Sequence, residues 1–579
     1  MGSTTALIYR RHSLPKWGLR LMHLWRFFAV VVTTVLSASA QNPIVDLGYA
    51  QYQGAVSSAN YAHFFGIRYA AAPLGDLRFR APQPPPTLSG VQDATNQPDQ
   101  CFQSSNGGAS TNPLRDNGVS PVNPPIPITS RTPSSEDCLF LNVYYPSDAA
   151  GTPPQGLPVL VWIHGGGYLG GQANPWNGED ILNQSNRKVV VVIIQYRLGV
   201  FGFLPGEKVK QNGALNAGLR MRTLPFAYSI GNVVNTVDQD AALRWVNQHI
   251  AKFGGDPSKV TIWGESAGAG SVLQQIIAND GQTEPQLFHA AIVSSTFLPS
   301  QYQYNDRIPE LLFSKVATQV NCDNATDTMA CLRAVDANSL ETANSNINVA
   351  GFFGTFTLVP VIDGVFIRQR PTLALAQGKV NGQKLLAVLN TFEGDIFVDG
   401  STVSTANATQ YAYNLFPTLS LAQASQVGQL YSGLGSQFFQ ANAIQSEAIF
   451  VCATYYLLRA FSGRAYKAEL AVPPGTHGSD IGYYFPSFWA PVFPDRDFIN
   501  AFAQMFTSFI ISQDPNIDVD PLNPTITPDW GLWSESPSQT EMLFNRTESN
   551  EPFVQASETS QVLLDRCAFW EGIGATTGQ

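Results

Sequence analysis

The chain has 579 residues, of which 44% are hydrophobic and only 13% charged, and a formal net charge of −10 at pH 7. That apolar share supports a large buried core and excludes a disordered or low-complexity chain. The acidic balance argues against a nucleic-acid binder and against adhesion to anionic membranes, and the first 40 residues, with five Lys/Arg and no Asp/Glu, leave the remainder more acidic still.

Residues 1–40 read as a signal peptide. Phe27 to Leu36 is a short apolar core, preceded by Arg20 and Arg26 and followed by Ala38-Ser39-Ala40. The run is too short to span a bilayer. Met22 alone would open a signal peptide of ordinary length, so residues 1–21 are either a long basic preface or sequence upstream of the true start. The chain ends without a hydrophobic tail, a glycolipid-anchor pattern or a retention signal, so secretion without a stable membrane anchor is expected. Asn183, Asn324, Asn407 and Asn545 each open an Asn-x-Ser/Thr acceptor and fit that route.

Pro158 to Ile163 reads as a strand, and His164-Gly165-Gly166-Gly167 follows it. Three consecutive glycines disfavour order unless bare backbone N–H groups are needed. Asp238 to Phe253 reads as a helix with Ala242, Trp245, Val246, His249, Ile250 and Phe253 on one face, which makes His249 a packing residue. Val260 to Trp263 reads as a buried strand, Gly264-Glu265-Ser266-Ala267-Gly268 follows, and Ala267 to Val272 can start a helix. Strand, G-x-S-x-G, helix is the setting of a nucleophile elbow, in which small neighbours permit a sharp, strained turn at the serine.

An elbow needs an acid and then a base downstream. Leu385 to Asn390 reads as a core strand, with Glu393 and Asp395 just after it. Glu393 is preferred, because Gly394 permits a turn that aims its carboxylate inward; Asp395 is the rival. Among the seven histidines, His12 and His23 fall in the leader, His63, His164 and His249 precede the serine, and His289 follows it too closely. His477 remains, in the turn-rich stretch Pro473 to Gly478. The reading is Ser266 as nucleophile, His477 as base and Glu393 as orienting acid, with backbone N–H groups from the glycine run and from Ala267 as the oxyanion hole. These parts span Gly166 to His477, so residues 41–579 are expected to form one interwoven domain despite their length. No His/Cys ligand cluster points to a metal, and no cofactor is implied.

Several stretches together resemble the type-B carboxylesterase/lipase family, the cholinesterase-like branch of the α/β-hydrolases, in its fungal secreted group. They are Phe65 to Ala70, Ser135 to Asn142, Tyr196 to Phe203, Phe253 to Pro257, the elbow, and Pro360 to Gly364. The resemblance implies an α/β fold with a large, mostly parallel central sheet flanked by helices. It also implies the triad Ser266, Glu393 and His477 and oxyanion donors at Gly166, Gly167 and Ala267. It implies the disulfides Cys101–Cys138, Cys322–Cys331 and Cys452–Cys567, where six cysteines alone would allow fifteen pairings. The buried pairs Arg78–Glu136 and Arg197–Asp238 are implied as well.

Against that family the chain departs in one place. Asn216-Ala217-Gly218-Leu219 is separated from Asp238-Gln239-Asp240 by residues 220–237, which show neither helical nor strand periodicity. Arg220-Met221-Arg222 can be encoded with a GTATG splice donor and Thr236-Val237 with an acceptor AG. Removal would join the flanks through one leucine. The segment reads as a translated intron, with a genuine surface loop as the alternative.

The expected substrate is a small-molecule or lipid ester. No Trp lies between Cys101 and Cys138, which disfavours cation–π binding of choline esters. The large apolar residues of that region, Phe102, Leu114, Val119, Val122, Ile126 and Ile128, lack helical spacing. A non-interfacial carboxylesterase is therefore preferred over an interfacial lipase or sterol esterase, and an inactive binding relative is least favoured because all three triad types are present. The sequence says nothing about oligomeric state.

Overall fold

The computed structural model describes residues 42–115, 133–212, 215–219, 238–535 and 539–579. The expected signal peptide at 1–40, the suspected insert at 220–237, and Val119, Val122, Ile126 and Ile128 lie outside the described residues. Residues Asn42–Gln579 group into one compact unit.

A mixed sheet carries the molecule, with eleven strands among the described residues. In chain order they are β1 (Ala55–Val56), β2 (Tyr61–Arg68), β3 (Phe140–Pro146), β4 (Leu157–Ile163), β5 (Val190–Ile194), β6 (Gly255–Glu265), β7 (Ala290–Ser294), β8 (Lys384–Asn390), β9 (Ala465–Leu470), β10 (Thr540–Arg546) and β11 (Pro552–Glu558). Their spatial order is β11-β10-β9-β8-β7-β6-β4-β5-β3-β2-β1. The run from β5 to β10 is parallel, and antiparallel pairs close both edges. The strands expected from the sequence at 158–163, 260–263 and 385–390 all fall within this central run.

The central strands read as continuous apolar runs because both faces are covered. Side chains alternate between two cores. Val161, Ile163, Val192 and Ile262 enter one core. Leu160, Trp162, Val191 and Trp263 enter the other. There the Trp263 ring stacks on Phe506 of the helix Arg496–Ser512, with centroids 4.3 Å apart. On the opposite face the helix Ala267–Ile277 is buried along its whole length. The predicted helix from Asp238 is α-helical to His249 and continues as a 3-10 turn to Phe253; His249 packs against Trp245 and Tyr49.

All three expected disulfides are formed, as are both buried ion pairs. Cys452–Cys567 ties the helix Gln561–Gly572 to the helix that starts at Cys452. The flanks of the insert are close together. Asp238 N–H donates to the Ala217 carbonyl and Gln239 N–H to that of Gly218. With a single residue between Leu219 and Asp238, these would be ordinary i→i−4 bonds of one helix start.

Register fixes what the site receives. Ile163 lies beside Gly264, Ser294 beside Glu265, and Ser294 also beside Val388. The carboxyl ends of β4, β6, β7 and β8 therefore finish level, and the segments that follow them share one rim of the sheet, where ligands of open α/β sheets bind.

Candidate active site

Ser266 follows β6 directly and caps the helix Ala267–Ile277. Its φ is +56° and ψ −124°. A non-glycine residue there is strained, and the surroundings hold it: Ser266 N–H donates to the Ser294 carbonyl, and Gly270 N–H donates to the Ser266 carbonyl. The flanking glycines are required sterically. A Cβ on Gly264 would lie 2.3 Å from the Gly268 carbonyl carbon, and one on Gly268 would lie 2.0 Å from the Ile163 carbonyl oxygen.

The loops that carry His477 and Glu393 meet this turn through Glu265. His477 Nδ1 lies 2.6 Å from Glu393 Oε2. The other oxygen, Glu393 Oε1, accepts from Asn390 N–H at 2.7 Å and from Ser295 Oγ at 2.7 Å. The two loops are also joined through backbone, Phe392 N–H donating to the Gly475 carbonyl. Asp395 instead accepts from Asn442, and Glu393 is the one of the two carboxylates that contacts the His477 ring. His477 Nε2 is buried without a hydrogen-bond partner among the described residues, and Glu265 Oε1 sits 3.2 Å from it.

The electrostatics follow from burial. Burial pushes the Glu265 carboxyl up to about 8, against the opposing pull of His477. Burial alone would lower His477, but the carboxylates of Glu265 and Glu393 outweigh it and raise the ring above its usual range. Asp480, fully buried, accepts from Asn390 Nδ2 and from Tyr484 O–H, and burial raises its carboxyl too.

Gly166 and Gly167 have φ of +102° and +64°. Neither donates its N–H to another described residue. The ring of Phe356 packs where a Gly167 side chain would stand, 1.9 Å from an added Cβ. His164, the first residue of the run, is structural: it is buried, stacks on Tyr196, and burial lowers it to about 4. Phe397 and Phe450 flank His477, with centroids at 5.1 and 4.6 Å, and Phe450 continues through Phe297 to Phe356. Beyond Phe297 and Phe356 opens a cavity of about 80 Å³, also lined by Leu312, Val359, Leu415 and Ile449. Among the described residues no cluster of His, Cys, Asp or Glu could hold a metal.

Sequence reasoning missed Ser295, Asp480 and the aromatic wall. Ser295 had a weak signal, a polar pair ending an apolar strand, and its φ of +59° marks it in the fold. The four phenylalanines come from four separate segments and carried none.

A family profile described as "Carboxylesterase family" matches residues 41–570. The chain is 30% identical over 499 residues to Carboxylesterase patB of Penicillium expansum, covering 79% of this chain and 85% of that protein. It is 29% identical over 560 residues to Lipase 1 of Geotrichum candidum, covering 88% and 93%. The crystal structure of Aspergillus niger EstA superposes with a TM-score of 0.76 at 27% identity, covering 93% of this chain and 99% of that one. With its sheet order and its serine turn, this chain belongs to the carboxylesterase family of α/β-fold ester hydrolases.

Proposed function

We propose that this protein is a secreted serine carboxylesterase working through an acyl-enzyme. Ser266 Oγ attacks the ester carbonyl while His477 Nε2 takes its proton; Glu393 holds the ring at Nδ1 and stabilises the imidazolium. The N–H groups of Gly166, Gly167 and Ala267 bind the tetrahedral oxyanion. His477 then protonates the departing alcohol, and water, deprotonated by the same ring, releases the acid. The observation that carries this reading is the 2.6 Å contact of Glu393 with Nδ1 of a histidine whose Nε2 lies 3.2 Å from Glu265, the residue before a serine held at positive φ.

The apolar lining of the cavity behind Phe297 and Phe356 favours an ester with an apolar acyl or alcohol part. Lipases among the relatives keep an interfacial lipase as the second reading. Secretion is supported by the leader at 1–40, the three disulfides, and acceptor asparagines that are exposed at Asn183, Asn324 and Asn407 and half-buried at Asn545.

The test is a fluorophosphonate probe, followed by hydrolysis of p-nitrophenyl esters of rising chain length below and above micelle formation. Labelling that survives Ser266→Ala sinks the triad. A jump in rate at the micellar threshold selects the lipase reading.

A further inference from the structure

A second cavity, of about 340 Å³, lies behind the segment that carries Glu393. It is lined by Asn390, Thr391, Phe392, Gly394 and Asp395, by Lys467 and Glu469 of β9, by Phe439 and Asn442, and by Leu563 and Arg566 of the C-terminal helix. Its cations are already neutralised. Arg566 forks onto both oxygens of Glu447, and Lys467 lies 3.4 Å from Glu541 and donates to the Ala468 carbonyl. Its remaining carboxylates are not. Among the described residues Glu469 accepts only from the Thr391 hydroxyl at 2.8 Å, and Asp395 only from the Asn442 amide at 3.1 Å, both neutral donors. Two amide oxygens of the lining, Asn390 Oδ1 and Asn442 Oδ1, are buried without a partner among the described residues. Asn390 as a whole is 1% exposed. Two aromatic rings, Phe392 and Phe439, are each 43% exposed and meet edge to face at 6.2 Å.

Acceptors without donors, carboxylates without cations, and exposed aromatic faces describe one ligand chemistry: a cationic donor on an apolar body. Aromatic faces attract an ammonium, and a carboxylate in a partly dry cavity holds its N–H groups. The strongly acidic chain adds attraction at longer range. We infer that this cavity is a binding site for amphipathic primary amines, separate from the ester site, and that its occupant acts on the acid loop. The coupling is short. Phe392 lines the cavity with its side chain at the surface, and its N–H holds the Gly475 carbonyl of the histidine loop. Asn390, at the cavity wall, donates its own N–H to the oxygen of Glu393 that does not face His477.

The test uses the full chain and n-hexylammonium, with n-hexanol as the neutral control at constant ionic strength. Calorimetry on Ser266→Ala should show one saturable amine site and no comparable hexanol binding. Glu469→Gln should weaken the amine by about tenfold or more, the loss of one charged hydrogen bond. Phe439→Ala, a surface change, should weaken it by about threefold. The site must survive blockage of the ester site, so wild-type enzyme carrying a diethylphosphoryl group, verified by mass, should still bind the amine. The kinetic arm rests on the proposed esterase reading: hexylammonium should change kcat for p-nitrophenyl acetate and leave KM unchanged. Failure of labelling counts against the esterase reading alone, because the calorimetric arm does not need turnover. Equal binding of hexanol, insensitivity to both substitutions, or loss of binding on phosphorylation overturns the amine site.

Discussion

Glu393 gives His477 only one of its two oxygens. Oε2 faces Nδ1 at 2.6 Å, while Oε1 is held by the Asn390 N–H and the Ser295 hydroxyl. The carboxylate is thus fixed at one end so that the other can fix the ring. Glu393→Gln keeps the acceptor for those two donors and turns an amide toward Nδ1, which forces the wrong tautomer. The expected fall in kcat/KM is about 10³–10⁴-fold with little change in melting temperature. Activity within tenfold of wild type would remove Glu393 from the triad.

Glu265 shapes the pH profile. Its negative charge favours the imidazolium, so it raises His477 and delays the neutral, base-competent form to higher pH. Glu265→Gln removes that pull. The acid limb of kcat/KM, which reports the free enzyme, should move down by about one pH unit. A limb that stays in place or moves up refutes the assignment.

Gly167 has two separate reasons to be glycine, a φ of +64° and the Phe356 ring 1.9 Å from any Cβ. Gly167→Ala should displace the backbone N–H proposed to bind the oxyanion, lowering kcat by about 10²–10³-fold. A double change, Gly167→Ala with Phe356→Ala, relieves the clash but not the φ, so only part of the activity should return. Full activity in Gly167→Ala would rule this N–H out of the oxyanion hole.

The insert can be tested by replacement. Asp238 and Gln239 already bond to Ala217 and Gly218 at the spacing a single bridging residue would give. A chain in which residues 220–237 are exchanged for one leucine should match or exceed the original in secretion, activity and melting temperature. An inactive or unsecreted product would show the segment to be an integral part, and the cDNA should then encode it.

Arg78 donates to both oxygens of Glu136 and to the carbonyls of Leu332, Arg333 and Val335, so it fastens the region next to Cys331 to the strap before β3. Both partners are buried. Arg78→Met strands a buried carboxylate and should cost about 3–5 kcal/mol of stability. Adding Glu136→Leu should recover much of it, because the unpaired charge is then gone. Chemical denaturation of the single and double variants decides this, and no recovery would place the cost in the lost carbonyl bonds.

The sequence by itself determined the parts whose requirements are local. The serine turn, the glycine run and the strands before them announce themselves because a sharp turn or a bare N–H tolerates only small residues at fixed spacing. The order of Ser266, Glu393 and His477 followed from elimination, since histidine is scarce. Glu393 and Asp395 could not be separated so firmly, because two residues of chain do not reveal where a carboxylate points. Only the tertiary structure decided that, through Ser295 and Asn390 on neighbouring strands. It also decided the phenylalanine wall around His477, the raised Glu265 and Asp480, and the cavity behind the acid loop. These depend on which residues distant in the chain share one dry space. Burial, and the shifts in charge that follow from it, are properties of that packed space, so no window of sequence contains them.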